Sequence, residues 1–321
     1  MEIKNNIEVY NISWLNHVEN SGKIDNLYIP ENRKELLEIC RELFTNNIKF
    51  ELIGHTSNIY FLPEFSCKYM VSTRNVKNIS WKEGYVEVDT GVSVRHISNE
   101  MINRGFAGFE GLIDLPGTVG AAVYGNAGCY NCSIVDMMIS CECLMSDGTV
   151  KTLYKDDLGV KTRSTALKRK EFNAVILSVK LNLIKVNVDE LKALSDKYRK
   201  HRKQTQPGPN DNLGSIFSCP IERPTIIGYF VIAVAKLYTF LVSSFSNDKI
   251  NKNEIQKKCI LKILRANNLN QYLFGNNWNR FIWKDSLAHN MFWKFVKLHK
   301  FMFKDNNFEI EIKGDFNKYI K

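Results

Sequence analysis

This sequence lacks several features that would place the protein outside the cell or on nucleic acid. It begins with a polar stretch, residues 1–6, that no apolar run follows, so no signal peptide is expected. Its eight cysteines in 321 residues do not form the dense framework of a small secreted protein. It has no internal repeat and no nucleic-acid-binding motif. These absences favour a cytoplasmic protein with reduced thiols and no nucleic-acid partner.

Composition and charge indicate a globular protein with a basic C-terminal third. Apolar residues make up 44% of the chain and charged residues 24%, and 321 residues are enough for two or three domains. Residues 220–321 hold 17 Lys and Arg against 8 Asp and Glu, a net charge of +9, whereas the whole chain carries +10. Such a region suits a nucleotide diphosphate or an anionic lipid, or it is a solvated lysine-rich face.

Hydrophobic periodicity predicts a mixture of helices and strands. Residues 31–46 have the spacing of an amphipathic helix, and Gly105 is placed to end a second helix over 94–105. Asp147 and Gly148 form a hairpin-type turn between two strands. A further helix is predicted at 188–203, and strands are predicted at 49–53, 85–88, 139–145, 149–153 and 172–184.

Two C-terminal helices are unusual in composition. Residues 226–245 are mostly apolar with one charge, Lys236, and reach the length of a membrane-spanning helix. Because Lys236 is central and no second span follows, we expect a buried or membrane-surface helix. Residues 285–304 form a basic helix that Asp285 or Ser286 is placed to cap, and its aromatic face is expected to pack on the core.

The segment 108–131 (GFEGLIDLPGTVGAAVYGNAGCYN) is rich in glycine and alanine. Small side chains let the backbone press close to a flat or phosphorylated ligand. Pro116 and Gly117 favour a turn, after which successive exposed N–H groups would cradle a pyrophosphate. A glycine-rich connection between strands would have the same composition, so the segment alone leaves both interpretations open.

The cysteines of this region do not favour a metal site. Cys129 and Cys132 have C-x-x-C spacing, but they lie within the glycine-rich segment. Cys141 and Cys143 follow on a predicted strand. A zinc site would need four ligands in tetrahedral geometry, and we expect no metal here.

Three sequence blocks in order carry a family resemblance. Residues 115–120 (LPGTVG) with 126–130 (NAGCY) resemble the flavin-binding core of the UDP-N-acetylenolpyruvoylglucosamine reductases. Residues 52–58 (LIGHTSN) resemble the upstream flavin loop of that family, G-x-G-S-N. Residues 206–207 (QP) and 214–220 (GSIFSCP) resemble its Q-P…G-S-x-F-K-N-P block. The resemblance covers about residues 25–220 and becomes faint over 276–316.

The resemblance implies an α+β fold and a flavin chemistry. A two-subdomain, PCMH-type FAD-binding domain would occupy residues 1–185, and a smaller α+β substrate domain with the apolar helix would occupy 186–321. The protein would be a monomer that holds FAD non-covalently, takes hydride from NADPH or NADH, and reduces a small-molecule nucleotide-sugar or glycosyl-acid substrate. The residues implied for FAD binding are Gly54, His55, Thr56, Ser57, Asn58, Pro116, Gly117, Thr118, Gly120, Ala121, Ala122, Asn126, Ala127 and Gly128.

The resemblance also assigns three catalytic residues. Ser215 matches the proton-donating serine of the G-S-x-F block, and its alternative role is that of a loop hydroxyl. Arg163 matches the carboxylate anchor of an F-x-Y-R-x-S motif, with Lys161 or Arg169 as alternatives. Glu309 matches the glutamate of an E-V-R-x-x-G strand. Alternation along a strand would keep Glu311 on the same face, so Glu311 is the alternative.

Several positions depart from the family pattern, mostly where substrate binds. Thr162 replaces a tyrosine, Glu311 an arginine, and Ser218 and Cys219 a lysine and an asparagine. Among the flavin blocks Thr56 replaces a glycine. Either the ordinary cell-wall reaction or a divergent sugar substrate near the membrane is compatible with this pattern. A non-catalytic flavin-fold scaffold, or an FAD-dependent oxidase of a small alcohol or sugar, is the alternative function.

Overall fold

The computed structural model describes residues 2–15, 22–208, 211–218, 223–244, 251–275, 278–304 and 307–320. The chain divides into two compact units. Unit 1 comprises Met1–Ile12, Ser21–Thr56 and Phe65–Arg202, and unit 2 comprises Ser13–Asn20, Ser57–Glu64 and Lys203–Lys321. The main boundary lies after Arg202, where the sequence had suggested residue 185, and two short N-terminal segments belong to unit 2.

The elements form an α+β arrangement. The helices are α1 (Arg33–Thr45), α2 (Val94–Asn103), α3 (Val119–Gly125), α4 (Val188–Thr205), α5 (Ile226–Ser244), α6 (Lys252–Ile263), α7 (Ala288–Met302) and α8 (Asn317–Ile320). The strands are β1 (Glu2–Glu8), β2 (Lys23–Ile29), β3 (Glu51–Ile53), β4 (Ile59–Phe61), β5 (Ser66–Ser72), β6 (Ile79–Trp81), β7 (Tyr85–Asp89), β8 (Gly128–Cys129), β9 (Cys132–Ser133), β10 (Met138–Met145), β11 (Val150–Leu153), β12 (Ala174–Asn182) and β13 (Glu311–Lys313).

Unit 1 contains two larger sheets, and the first has the strand order β1-β2-β5-β3. Strands β2, β5 and β3 run parallel, with β1 antiparallel at the edge. The side chain of Asn32 caps α1 by accepting the Glu35 N–H at 3.0 Å. The apolar face of α1, which includes Leu36 and Cys40, is buried with Val71 of β5. This packing fixes the end of β3, from which the first flavin loop leaves.

The second sheet of unit 1 is antiparallel, with the order β11-β10-β12-β7-β6. Alternating residues of β7 and β12, such as Val86, Val88 and Val179, are fully buried with residues of α2 and α3. The predicted hairpin turn is confirmed, because the Asp147 carboxylate accepts the Thr149 N–H at 2.9 Å and Gly148 has φ +83°. The sheet therefore supports the helix that carries the glycine-rich block.

Unit 2 is built on an aromatic core beneath helices α5 to α7. Strands β4 and β13 pair in parallel, which joins two segments far apart in sequence. Tyr60 of β4 lies 4.2 Å from Trp283, centroid to centroid, and Phe292 of α7 completes the cluster. Helix α5 packs on this core through its smaller residues. The buried ones are Gly228, Val231, Ala235 and Thr239.

Most predicted helices and strands are present, with three corrections to their ends. Helix α7 begins at Ala288, and Asp285 does not cap it, because its carboxylate accepts the Tyr272 hydroxyl and the Leu287 N–H instead. The strand expected from residue 49 starts at Glu51. The strand expected over 308–314 is limited to Glu311–Lys313, so Glu309 lies in a bend before it.

Candidate flavin and proton-transfer site

Two glycine-containing loops of unit 1 lie in close contact. Gly54 follows β3 directly, and a Cβ atom at this position would lie 2.4 Å from Thr118 Oγ1. A Cβ atom on Gly120 would lie 1.9 Å from Thr90 Oγ1. Any side chain at either position would collide, so these glycines are required by the close approach of the loops. Gly117, at φ +108°, makes the turn predicted after Pro116.

The loop residues fit a bound flavin. Thr118 Oγ1 is buried and has no hydrogen-bond partner within the described part of the chain, and the same is true of Asn126 Oδ1. Buried hydroxyl and amide groups are nearly always hydrogen-bonded in native proteins. These two atoms lie in the two halves of one predicted cofactor block. A polar cofactor bound there would supply the hydrogen bonds that they lack. These residues therefore suit FAD.

The predicted pyrophosphate cradle needs a correction. The Val119 N–H donates to Val92 O at 2.8 Å and the Gly120 N–H donates to Thr90 O at 2.9 Å. These two hydrogen bonds attach the start of α3 to residues 90–93, which connect β7 with α2. Neither amide is therefore available to a phosphate. The small residues of this segment allow backbone packing as well as ligand approach.

The remaining flavin-block residues follow one another along α3 and the hairpin after it. Asn126 ends α3 with φ +45°, which asparagine tolerates better than most residues. Tyr130 lies in the hairpin turn, and its ring stacks on Tyr198 of α4 at 4.3 Å. The flavin-block residues placed in α3 or after it are Gly120, Ala121, Ala122, Asn126, Ala127 and Gly128.

The first flavin loop is divided between the units. Gly54, His55 and Thr56 belong to unit 1, whereas Ser57 and Asn58 belong to unit 2. Thr56 keeps a glycine-like backbone at φ +57°, and its buried hydroxyl donates to Ile12 O at 3.2 Å. This geometry explains how threonine occupies a glycine position of the family pattern. The polar side chain is satisfied and the loop shape is retained.

A positive environment surrounds His55. Burial lowers the pKa of His55 below its usual value, and the charges of Arg74 and Lys77 lower it further. Burial also lowers the pKa of Arg74. The charges of Arg74 and Lys77 beside a buried histidine favour an anion there, and the phosphates of a dinucleotide would supply it.

Arg163 occupies the tip of a tight turn. The backbone groups of Lys161 and Ser164 exchange two hydrogen bonds of 2.9 and 3.0 Å, and Arg163 between them has φ +56°. Asn126 Nδ2 donates to Lys161 O at 2.9 Å, which ties this turn to the flavin block. A non-glycine residue held in the left-handed region is a common feature of functional sites. The structure thus presents Arg163 on a fixed support.

The alternative anchors Lys161 and Arg169 line a cleft of about 500 Å³ in unit 1. However, the Arg169 guanidinium binds Glu171 at 2.6 Å and also donates to Gly159 O at 2.8 Å. Arg169 therefore stabilises the loop that carries Arg163. Arg163 stays the proposed anchor for a substrate carboxylate, with Lys161 as the alternative.

Unit 2 brings together residues from three separate sequence blocks. The Glu309 N–H donates to Ile216 O at 2.8 Å, which places the Glu309 segment beside the Ser215 segment. Asn58 Nδ2 donates to Glu309 O at 3.1 Å, and the Glu311 N–H donates to Asn58 O at 2.9 Å. The backbone therefore joins the end of the first flavin loop to both predicted catalytic segments.

Arg280 is a functional candidate that sequence reasoning missed. Ser215 and Arg280 form an antiparallel β-bridge, and Arg280 Nη1 donates to Ser215 Oγ. The neighbouring Asn279 side chain binds both backbone groups of Phe217, at 2.6 and 2.7 Å. No motif marked these positions, because the resemblance is faint from residue 276 onward.

The two glutamates have different surroundings. The alternation argument that placed them on one strand face is wrong, because Glu309 lies outside β13. Glu311 pairs with Lys313, with Oε1 and Nζ 2.6 Å apart. Its negative charge is thereby partly neutralised within unit 2.

The cysteines show no arrangement typical of a metal site. Cys129 and Cys132 face each other across the β8–β9 hairpin, and burial raises the pKa of Cys132. Cys141 and Cys143 are buried in β10 with their sulfurs 3.6 Å apart, a contact that raises the pKa of Cys143. Within the ranges that the structure describes, no three His, Cys, Asp or Glu side chains are grouped to hold a metal ion. Cys219 lies outside those ranges.

Comparison with known proteins agrees with these features. The family model described as "FAD binding domain" matches residues 24–154. The UDP-N-acetylenolpyruvoylglucosamine reductase of Enterococcus faecalis is 31% identical over 207 residues, which cover 64% of this chain and 67% of that protein. A Streptococcus pneumoniae protein of the same name is 31% identical over 201 residues, covering 62% and 66%. The match thus spans about two thirds of these relatives.

The fold is shared over nearly the whole chain with a solved structure. The UDP-N-acetylenolpyruvylglucosamine reductase of Thermus caldophilus superposes with a TM-score of 0.65 at 18% identity, covering 98% of this chain and 100% of that one. The retained flavin blocks, the aligned relatives and the common fold agree with one another. The chain belongs to the UDP-N-acetylenolpyruvoylglucosamine reductase family of FAD-dependent oxidoreductases.

Proposed function

We propose that this protein uses NAD(P)H and FAD to reduce an enolpyruvyl ether of a nucleotide sugar or a related glycosyl acid. The observation that carries the proposal is that Glu309 bonds, within unit 2, to Ile216 beside Ser215 and to the side chain of Asn58. Three blocks predicted separately from sequence meet there. When bound, FAD would supply hydride to one carbon of the enol ether.

The residues of this chain would supply the other parts of the reaction. Ser215 would give a proton to the carbon next to the one that receives hydride. Glu309 would assist that proton transfer, and Arg163 would hold the substrate carboxylate with two parallel hydrogen bonds. Residues of the two glycine loops, together with the cations around His55, would bind the flavin. Mixing the purified protein with NADPH and an enolpyruvyl nucleotide sugar under anaerobic conditions tests this assignment.

We expect the variant Arg163→Lys to lose most of its turnover although the charge is kept. A single ammonium group cannot reproduce the two parallel hydrogen bonds of a guanidinium with a carboxylate. Loss of one charge-assisted hydrogen bond, about 1.5–3 kcal/mol, would reduce kcat/KM by roughly 10- to 150-fold. Flavin content should stay normal. Steady-state kinetics of this variant beside Arg41→Lys, the control at an exposed arginine of α1 in unit 1, would check the expectation.

The outcome also tests the sequence alignment at residues 160–168. If Arg163→Lys keeps near-normal turnover, this alignment is wrong. Lys161 or Arg169 would then bind the carboxylate.

The substrate itself is proposed to differ from the ordinary cell-wall precursor. Thr162 stands where the family pattern has a tyrosine, and Glu311 stands where it has an arginine. A phenol and a cation of the family pattern are therefore missing. The ion pair of Glu311 with Lys313 also occupies a lysine that would otherwise attract an anionic substrate. A related sugar for a surface polysaccharide is compatible with these changes.

We further propose that the protein is a cytoplasmic monomer that contacts a membrane surface through α5. Among the described helices α5 is the one long and apolar enough to span a membrane, and 22% of its apolar window is buried. The inner face of α5 packs on the aromatic core of unit 2. Because only the outer face is left to contact lipid, the helix would lie in the plane of the membrane surface and not cross it. Its outer face carries large exposed side chains, including those of Ile226 (87% exposed), Phe230 (71%), Tyr229 (64%), Phe240 (64%) and Leu237 (61%).

We expect the variants Phe230→Glu and Phe240→Glu to lose binding to vesicles of phosphatidylglycerol and phosphatidylcholine. Burying one such side chain contributes about 1.5–3 kcal/mol, so each variant should bind roughly 10- to 100-fold more weakly. Flotation of the vesicles measures this directly. Tyr154→Glu is the control, because Tyr154 is 56% exposed and lies in unit 1. If the wild-type protein does not float, the outer face of α5 does not bind lipid.

A further inference from the structure

Ser215 is held by a neighbour that has no assigned role. Its backbone forms a β-bridge with Arg280, and its Oγ accepts a hydrogen bond from Arg280 Nη1. The position of Arg280 is fixed on both sides. The Ile216 N–H donates to Asn279 O at 3.2 Å, and Phe281 is fully buried in the aromatic core. The guanidinium is therefore placed on Ser215 by the fold and not by a mobile surface segment.

This contact addresses a chemical difficulty of the proposed reaction. A serine hydroxyl is a very weak acid, and losing its proton leaves a negatively charged oxygen. A guanidinium is permanently charged, and its hydrogen bond to Oγ favours the charged form of that oxygen. Because Oγ accepts the Arg280 N–H, its own proton is directed away from Arg280. The contact thus both orients the hydroxyl and lowers the free energy of its deprotonated state.

The neighbouring segment carries a negative residue where the family pattern has a positive one. Where the family pattern has arginine, this chain has Glu311, and Glu311 is paired with Lys313. The segment next to Glu309 therefore presents no cation at that position. Arg280, reaching Ser215 from the opposite segment, supplies a positive charge.

We propose that Arg280 is a positioning residue that makes Ser215 a competent proton donor, an inference that rests on the proposed function. In the step, the Ser215 O–H bond breaks and a C–H bond forms at the substrate carbon. The electron pair for the new bond comes from the double bond as hydride adds to its other carbon. The O–H electron pair stays on Oγ beside Arg280 until solvent returns a proton.

A thiol reporter tests this without substrate or flavin turnover. In the variant Ser215→Cys, the pKa of the new thiol is read from the pH dependence of its alkylation, resolved by peptide mass spectrometry. We expect Arg280 to lower this pKa. Below pH 8, adding Arg280→Met should slow alkylation of Cys at 215 by about tenfold, which corresponds to one pKa unit. Arg265→Met, at an exposed arginine of unit 2, should leave the rate unchanged.

The same variants are then compared in the two half-reactions of the flavoprotein. Arg280→Met should slow reoxidation by the enol ether about 10- to 100-fold and leave reduction by NADPH unchanged. Arg280→Lys, which keeps the charge, should recover part of the loss. If Arg280→Met does not fold, Arg280→Gln replaces it in both measurements with the same expectation.

The alkylation assay tests the role of Arg280, and the half-reaction assay tests the proposed function. If the wild-type protein oxidises NADPH with none of the enolpyruvyl sugars, the proposed function fails, and the thiol measurement is unaffected. If alkylation at position 215 has the same pH profile with and without Arg280, the role assigned to Arg280 is wrong whatever the turnover.

Discussion

Replacing Ser215 with alanine should block product formation while reduction of the flavin by NADPH proceeds at its normal rate. Hydride uptake from the nicotinamide requires only the two cofactors, whereas reduction of the enol ether also requires a proton at the neighbouring carbon. Loss of a general acid typically costs about 10²–10⁴-fold in rate. Stopped-flow absorbance, recorded separately for the two half-reactions, measures both rates on one preparation.

Ser243→Ala is the control for this experiment. Ser243 lies near the end of α5 in unit 2, outside the predicted substrate blocks, and its hydroxyl donates to Phe240 O at 2.9 Å. It should leave both half-reactions close to wild type. Equal slowing of both half-reactions in Ser215→Ala would assign Ser215 a structural role, and Arg280 would then have no proton donor to act on.

The second large effect concerns the ordinary substrate. We expect this protein to reduce UDP-N-acetylenolpyruvoylglucosamine with a kcat/KM several orders of magnitude below that of its relatives. Thr162, Cys219 and Glu311 each replace a residue that would attract an anionic, sugar-bearing molecule. At about 1–3 kcal/mol for each lost contact, two or three losses give this reduction. The flavin blocks match the family pattern except at Thr56, so flavin loading should be normal.

Complementation tests this expectation in a cell that lacks its own reductase. The Enterococcus faecalis relative should restore growth, and this chain should not. The double variant Thr162→Tyr with Glu311→Arg returns two of the family residues and should raise kcat/KM for the ordinary substrate. Robust growth with the unmodified chain would mean that other cations of the basic C-terminal third compensate, and that the ordinary cell-wall reaction is the right one.

The periodicity of α1 and the Asp147-Gly148 turn were predictable because their requirements are local. Gly54 and Gly120 were visible as glycines, but the contacts that require them are long-range, with Thr118 and Thr90 respectively. The replacement of a family glycine by Thr56 was also visible in the sequence. The positive φ of Thr56 and its hydrogen bond to Ile12 O could be seen only in the structure.

The proton-transfer residues could be predicted only in part. Ser215 and Glu309 were visible through motifs, but their proximity depends on the direct contact of residues 216–217 with residues 308–309, about 90 residues further along the chain. Arg280 was not visible, because its role comes from one long-range side-chain contact and not from a spacing pattern. Strand alternation gave a wrong result for Glu309, since a bend separates it from Glu311.

We expect this chain to act as a flavin-dependent reductase of an enolpyruvyl ether. The most direct measurement is an anaerobic titration of the purified protein, followed by visible absorbance. The protein should be yellow, lose its colour with NADPH, and regain it when an enolpyruvyl nucleotide sugar is added. Acid precipitation should leave the flavin in the supernatant, because no covalent bond is expected. A colourless protein, or a colour that no enolpyruvyl sugar restores, would contradict the account.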